Sequence, residues 1–139
     1  MSETITGRCL CGEIRYECQG EPLRAFICHC TDCQQFTGSV FAAEFIFPKE
    51  SLRILSGTPK GHSVTAESGN KIERQFCGRC GAGLFAILDK RPTSISVQAG
   101  SIDDKSKFKP SFQVWTRSQV EAIRINDDLK KFERSSNMN

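Results

Sequence analysis

Three groups of cysteines, each tightly spaced and each far from the others along the chain, limit what this sequence can fold into more than any other feature. Cys9-Leu10-Cys11-Gly12 opens the chain, Cys28-His29-Cys30-Thr31-Asp32-Cys33 follows, and Cys77-Gly78-Arg79-Cys80-Gly81 comes past the midpoint. Only Cys18 of the eight cysteines stands outside a group. Eight cysteines in 139 residues fall below the density of a small disulfide scaffold. The first residues show neither a basic cluster nor an apolar stretch, so no secretory signal is expected, and thiols in such a chain are expected to bind metal.

Two cysteines two or three residues apart converge on one ion only if the backbone turns sharply. Gly12, Gly78 and Gly81 suit such turns, because glycine enters the left-handed region freely and leaves N–H groups aimed at the sulfurs. A structural zinc wants four ligands in a closed tetrahedron. The outer groups supply them as Cys9, Cys11, Cys77 and Cys80, a clamp between distant segments that would contribute on the order of 10 kcal/mol to folding. Cys28, Cys30 and Cys33 offer three thiolates and leave a fourth position open, the arrangement of a catalytic zinc that can accept a substrate thiol. Three other readings stay open for this group: a closed site completed by Cys18, one completed by a partner, or a metal-free redox cluster.

The residues around the cysteines read as β structure. Residues 12–18 alternate, with Ile14, Tyr16 and Cys18 on one face, so Cys18 is expected in the core. Residues 40–47 are apolar on both faces and end at Pro48, as a buried central strand would. Further strands are expected at 5–10, 52–55, 63–67, 71–76, 84–88, 93–99, 112–116 and 120–125, with a hairpin turn at 68–70 and one helical turn at 31–36. In 93–99 the pattern puts Ile95, Val97 and Ala99 inward and Ser94, Ser96 and Gln98 outward. The expected fold class is mainly β, a tent or sandwich of short strands stabilised by zinc knuckles. One domain is expected over 1–139, with its core in about 5–125 and a charged tail that covers an edge or frays.

Apolar residues make up 38% and charged residues 25%, the balance of a soluble globular protein, and no apolar run is long enough to span a membrane. A net charge of +3 is too mild to argue for nucleic acid. Nucleotide loops, metalloprotease motifs and a serine triad are absent. His29, wedged between ligand cysteines, reads as a residue behind the metal or at the surface, with general base as the lesser alternative. His62 reads as a surface residue. Most of the ten phenylalanines read as core; Phe36 and Phe41, which flank the three-cysteine loop, are the two that could line a pocket.

Together, the Cys-X-Cys-Gly start, the Cys-His-Cys-X-X-Cys group, Thr37-Gly38-Ser39, the segment from Phe76 to Gly81 and Gly100-Ser101-Ile102-Asp103-Asp104 resemble the glutathione-dependent formaldehyde-activating enzyme family. That family also includes centromere protein V type domains, and the resemblance covers most of the chain. It implies an Mss4-like fold, a structural zinc on Cys9, Cys11, Cys77 and Cys80, and a labile catalytic zinc on Cys28, Cys30 and Cys33. It further implies a carbon–sulfur lyase-type reaction on an adduct of a thiol and an aldehyde, such as S-hydroxymethylglutathione from glutathione and formaldehyde. The expected partners are therefore a small thiol and an aldehyde, with no nucleic acid and no membrane, and the expected location is the cytoplasm. The alternative reading is a non-catalytic zinc module that recruits a protein partner.

Overall fold

The computed structural model describes residues 3–125 and 128–136. The described residues are mainly β, arranged in two sheets. β1 (Thr4–Arg8), β2 (Arg15–Gln19) and β5 (Leu52–Ser56) form an antiparallel three-stranded sheet in the order β1-β2-β5. The larger sheet holds β3 (Arg24–Cys28), β4 (Ala42–Pro48), β6 (Lys60–Thr65), β7 (Lys71–Phe76), β8 (Gly83–Leu88), β9 (Ser94–Gln98), β10 (Phe112–Val114) and β11 (Lys130–Lys131). Its order is β11-β10-β3-β4-β9-β8-β7-β6, and β10 runs parallel to both β3 and β11 while the other pairs are antiparallel. The helix α1 (Thr31–Thr37) follows β3 and extends the expected single turn. No described helix is long and apolar enough to cross a membrane.

Strand alternation divides the large sheet into two faces. Ala25 of β3, Phe45 and Phe47 of β4, Phe85 of β8 and Ile95 and Val97 of β9 point to the small sheet, which answers with Ile5, Tyr16 and Cys18. Tyr16 meets Phe85 edge-on, with ring centroids 5.0 Å apart, and its hydroxyl bonds Ser101. Cys18 is fully buried in this core, as the alternation of 12–18 predicts.

The other face carries the residues one position out of phase: Arg24, Phe26 and Cys28, then Glu44 and Ile46, Ser94 and Ser96, and Ile72 and Arg74. The serines expected to face outward on β9 do leave the core. They face a cavity, and Ser96 is buried there.

Two elements differ from expectation. β3 is an additional strand, unforeseen because its alternation is only five residues long and runs straight into the ligand cysteines. Residues 120–125 form turns and coil, since the Ile125 carbonyl accepts from Gln113 Nε2 and is drawn into side-chain bonding. The tail does cover an edge: Lys130 and Lys131 pair with Phe112 and Gln113. The rest of the tail expectation, at 126–127 and 137–139, lies outside the described residues.

Candidate metal centres

Each outer cysteine pair sits in a connection between antiparallel strands. After β1, Gly12 N–H donates to the Cys9 carbonyl at 3.1 Å, Gly12 adopts φ 81°, and Ile14 N–H points back to the Cys9 sulfur at 3.3 Å. Between β7 and β8 the pattern repeats. Gly81 N–H donates to the Cys77 carbonyl at 2.8 Å, Gly81 adopts φ 80°, and the N–H groups of Arg79 and Cys80 reach the Cys77 sulfur at 3.3 and 3.4 Å. Gly78 does not serve as a left-handed turn residue. Its bare Cα instead makes room for the Lys60 side chain, which a Cβ would meet at 2.8 Å.

The small sheet packed on the large one brings these two turns together. All four sulfurs of Cys9, Cys11, Cys77 and Cys80 lie within 4.8 Å of one another. Cys9 and Cys11 are 3.6 Å apart and Cys11 and Cys77 are 3.8 Å apart. A tetrahedron of sulfurs about 2.3 Å from a zinc ion has edges of about 3.8 Å. The four donors therefore fit a closed tetrahedral ion, and the inward N–H groups offset thiolate charge. Without an ion their protonation is divided: backbone donation from Glu13 lowers Cys11, but burial and the neighbouring sulfurs prevail and push it up to about 11. Cys80 is held down to about 6, first by backbone N–H donation around Cys11 and Ala82, and Cys9 is lowered against the cost of its burial.

The second group is built by β3 and α1. Cys28 ends β3, Cys30 caps α1 by accepting from Cys33 N–H at 3.2 Å, and Cys33 lies on the first turn of the helix. Their three sulfurs also lie within 4.8 Å of one another. Cys18 lies in the core between the sheets and is not part of this set, so it does not complete a closed site. Cys30 is held down to about 3, mainly by hydrogen bonds from Cys28 and Cys33 and further by Cys33 N–H and Arg74. Cys28 rises because it shares its proton with Cys30. Cys33 also rises: a bond from Cys28 lowers it, but Cys30, burial and Glu44 prevail. Without an ion the trio thus concentrates one negative charge on the middle sulfur.

Two charged residues flank this trio, and neither stood out in the sequence. Arg74 Nη2 donates to the Cys33 sulfur at 3.8 Å, and its guanidinium lies 5.8 Å over the ring of Phe36. Burial works against that charge, but Cys33, Cys30 and Glu44 outweigh it and keep Arg74 protonated. Glu44 Oε1 accepts from Ser96 at 2.7 Å, while Oε2 stands 4.0 Å from the Cys33 sulfur. Burial pushes its carboxyl up, against the Ser96 bond. The available signal was a glutamate inside the apolar run Val40-Phe41-Ala42-Ala43-Glu44-Phe45-Ile46-Phe47, since a charge in a central strand needs a reason to be there.

His29 is buried rather than at the surface. Its Nε2 bonds Gln113 Oε1 at 2.7 Å, because β10 runs beside β3 and presents Gln113 to it. His62 is exposed on β6, as expected.

Cys28, Cys30 and Cys33 open onto a cavity of about 360 Å³, floored by the outer face of the large sheet. Its aromatic lining comes from Phe26, Phe112 and Trp115. Phe36 and Phe41 do not line it: Phe36 packs beneath Arg74 and against Gly83, and Phe41 lies beside His29. The four-cysteine group is not part of the cavity wall.

A family model described as glutathione-dependent formaldehyde-activating enzyme matches residues 4–118. The chain is 23% identical over 123 residues to a Colletotrichum graminicola protein provisionally named as a glutathione-dependent formaldehyde-activating enzyme. That alignment takes in 79% of this chain and 63% of the relative, so the chain spans under two thirds of the relative's length. A crystal structure of a Rhodobacter sphaeroides protein shares the fold with a TM-score of 0.57 at 18% identity, covering 91% of this chain and 98% of that one.

Proposed function

The chain belongs to the glutathione-dependent formaldehyde-activating enzyme family, and from that premise we propose that it is a zinc-dependent carbon–sulfur lyase-type enzyme acting on a thiol–aldehyde adduct such as S-hydroxymethylglutathione. The observation that carries this reading is the different setting of the two cysteine groups. Four sulfurs form a closed set away from the cavity, whereas three form an incomplete set that opens into it. In this reading Cys9, Cys11, Cys77 and Cys80 hold a structural zinc, and Cys28, Cys30 and Cys33 hold the reactive one. Zinc on three thiolates would supply a thiophilic fourth position at which a substrate thiol gives up its proton.

The chain's own residues set the conditions for that chemistry. Arg74 supplies positive charge beside a sulfur-rich site that would otherwise be strongly anionic. Cys33 N–H fixes the Cys30 sulfur, and Gln34 ties α1 in place by donating to the carbonyls of His29 and Ser118. Phe26 and Phe112, stacked 5.2 Å apart, lower the polarity of the wall nearby. Addition forms one sulfur–carbon bond, moves the carbonyl π pair onto oxygen, and ends with the thiol proton on that oxygen. Because thiol addition to formaldehyde needs no redox partner, orientation and thiolate formation are the contributions required of the protein.

The test is exchange NMR with ¹³C-formaldehyde and glutathione. Zinc-loaded protein should speed interconversion of free and adduct carbon, and Cys30→Ser should remove the gain. Cobalt placed at the three-cysteine group should change its absorption when glutathione is added. An exchange rate equal to that of buffer, with two equivalents of zinc bound, would overturn the enzyme reading in favour of a binding module.

A further inference from the structure

Arginines line the cavity away from the cysteine group as well. Arg74 serves the sulfurs, but Arg24 and Arg91 line the wall elsewhere. Arg24 lies on β3 four residues before Cys28, on the same face, a backbone separation of about 13 Å. Its Nε and Nη1 are buried and have no hydrogen-bond partner among the described residues. Burial and the like charge of Arg91 both act against its protonation. A guanidinium is not given up easily to an apolar wall, and the two unmet donors of Arg24, with a second positive charge nearby, make a place suited to an anion.

A second observation points to the same space. Asn70 Oδ1 is the other buried side-chain atom without a partner among the described residues, and Asn70 also lines this cavity. Unmet donors on one residue and an unmet acceptor on another describe a ligand that carries both an anionic group and an N–H. Three carboxylates line the cavity, and Asp32 lies on the first turn of α1 beside Cys33. Glu67 pairs with Arg117 at 3.2 Å, and Glu44 bonds Ser96 beside the cysteines.

We propose that Arg24, with the charge of Arg91 beside it, binds a carboxylate of the thiol substrate, while Asn70 accepts from an N–H of the same molecule. The inference rests on the reading of the three-cysteine group as the thiol site, and it assigns the residue that tells a thiol carrying a carboxylate from one without it. Simple thiols without a carboxylate would reach the cysteines and leave Arg24 unpaired. Arg24 is thus a specificity-determining residue, remote from the bond that forms.

Calorimetry with three probes on the zinc-loaded protein tests this. Arg24→Gln should weaken glutathione binding by roughly 10- to 100-fold, the scale of a hydrogen bond to a charged group. It should leave 2-mercaptoethanol binding unchanged. S-methylglutathione, which keeps both carboxylates but has no free thiol, should bind the wild type weakly and Arg24→Gln at least about tenfold more weakly. Arg24→Lys, which keeps the charge, should recover part of the loss. If Arg24→Gln does not fold, glutathione with both carboxylates esterified takes its place on the wild type and should bind at least about tenfold more weakly than glutathione. Equal glutathione binding by wild type and Arg24→Gln, or by free and esterified glutathione, overturns the proposal. A wild type that ignores 2-mercaptoethanol but binds S-methylglutathione through Arg24 would instead overturn the thiol-site reading and keep the anion site.

Discussion

Arg74 on β7 places its guanidinium 3.8 Å from the sulfur of Cys33 on α1, joining two segments 41 residues apart at the mouth of the three-cysteine group. The contact follows from the sheet. β7 sets Arg74 on the cavity face, and Gly83 on β8 lacks the Cβ that would strike Phe36 at 2.7 Å, so the helix can approach. The cysteine trio therefore has its counter-charge built into the scaffold before any ion arrives.

From this contact, metal-free protein should carry a Cys30 thiolate well below neutral pH. Alkylation of Cys30 by iodoacetamide, followed by peptide mass spectrometry, should hold an almost constant rate between about pH 5 and 8, since its thiol is held down to about 3. Carried to lower pH, the profile should fall off near pH 3, and Arg74→Met, which removes a charge that favours the thiolate, should move that fall-off up by about one unit. An unchanged profile would mean that the neighbouring sulfurs alone set the charge.

The two cysteine groups should part under chelation. The closed group clamps two distant turns with four sulfurs, while the open group has three on one short segment. Mild chelation should remove one equivalent of zinc and leave the circular dichroism spectrum intact. Cys77→Ser should then lower the melting temperature by more than about 10 °C, because loss of a structural ligand costs several kcal/mol and each is worth about 4 °C. Release of both equivalents together with the fold would reject this division of roles.

The cysteine groupings were legible because ligand spacing is local. Cys9 with Cys11, and Cys77 with Cys80, need only a turn each, and a tetrahedron needs both pairs. The buried β4 and the core position of Cys18 were legible for a similar reason, since alternation is a short-range signal. What could not be read was the second face of the large sheet. Arg24, Glu44, Arg74 and Ser96 are polar residues on four strands, and no one of these strands shows alone what that residue faces. Only the order β3-β4-β9-β8-β7 gathers them into one cavity wall. The partner of His29 was hidden for the same reason, because Gln113 arrives through a parallel pairing of distant segments.

Gly7 offers a test of how closely the two sheets seat. It lies opposite Tyr16 in the β1–β2 ladder, and a Cβ there would strike the Tyr16 ring and stand 2.7 Å from the Ser101 carbonyl. The backbone carbonyl cannot swing aside as a flexible side chain would. Gly7→Ala should therefore cost about 1–3 kcal/mol in urea unfolding, the range for overpacking a close-packed interior. A variant as stable as wild type would show that Tyr16 and the turn at Ser101 yield freely.

Cys18 gives the core a pH signature distinct from that of the metal groups. Burial pushes its thiol from an ordinary value of 9.0 up to about 12, with the charge of Glu17 adding to the shift. Between those values the unfolded chain releases the Cys18 proton and the folded chain keeps it. The unfolded state then binds fewer protons, so stability falls as pH rises, by at most about 1.4 kcal/mol per pH unit for this one group. Below pH 9 that contribution is fully present. Cys18→Ala removes the titration and leaves a small void, so it should be less stable than wild type at pH 8. The gap should then narrow through pH 10 and 11 as wild type alone loses stability to this thiol. Urea unfolding of both proteins across that range, in the same buffer and zinc concentration, isolates the effect, because every other titrating group is shared. A gap that stays constant from pH 8 to 11 would mean that Cys18 ionises as readily in the fold as outside it, and that its place in the core is not dry.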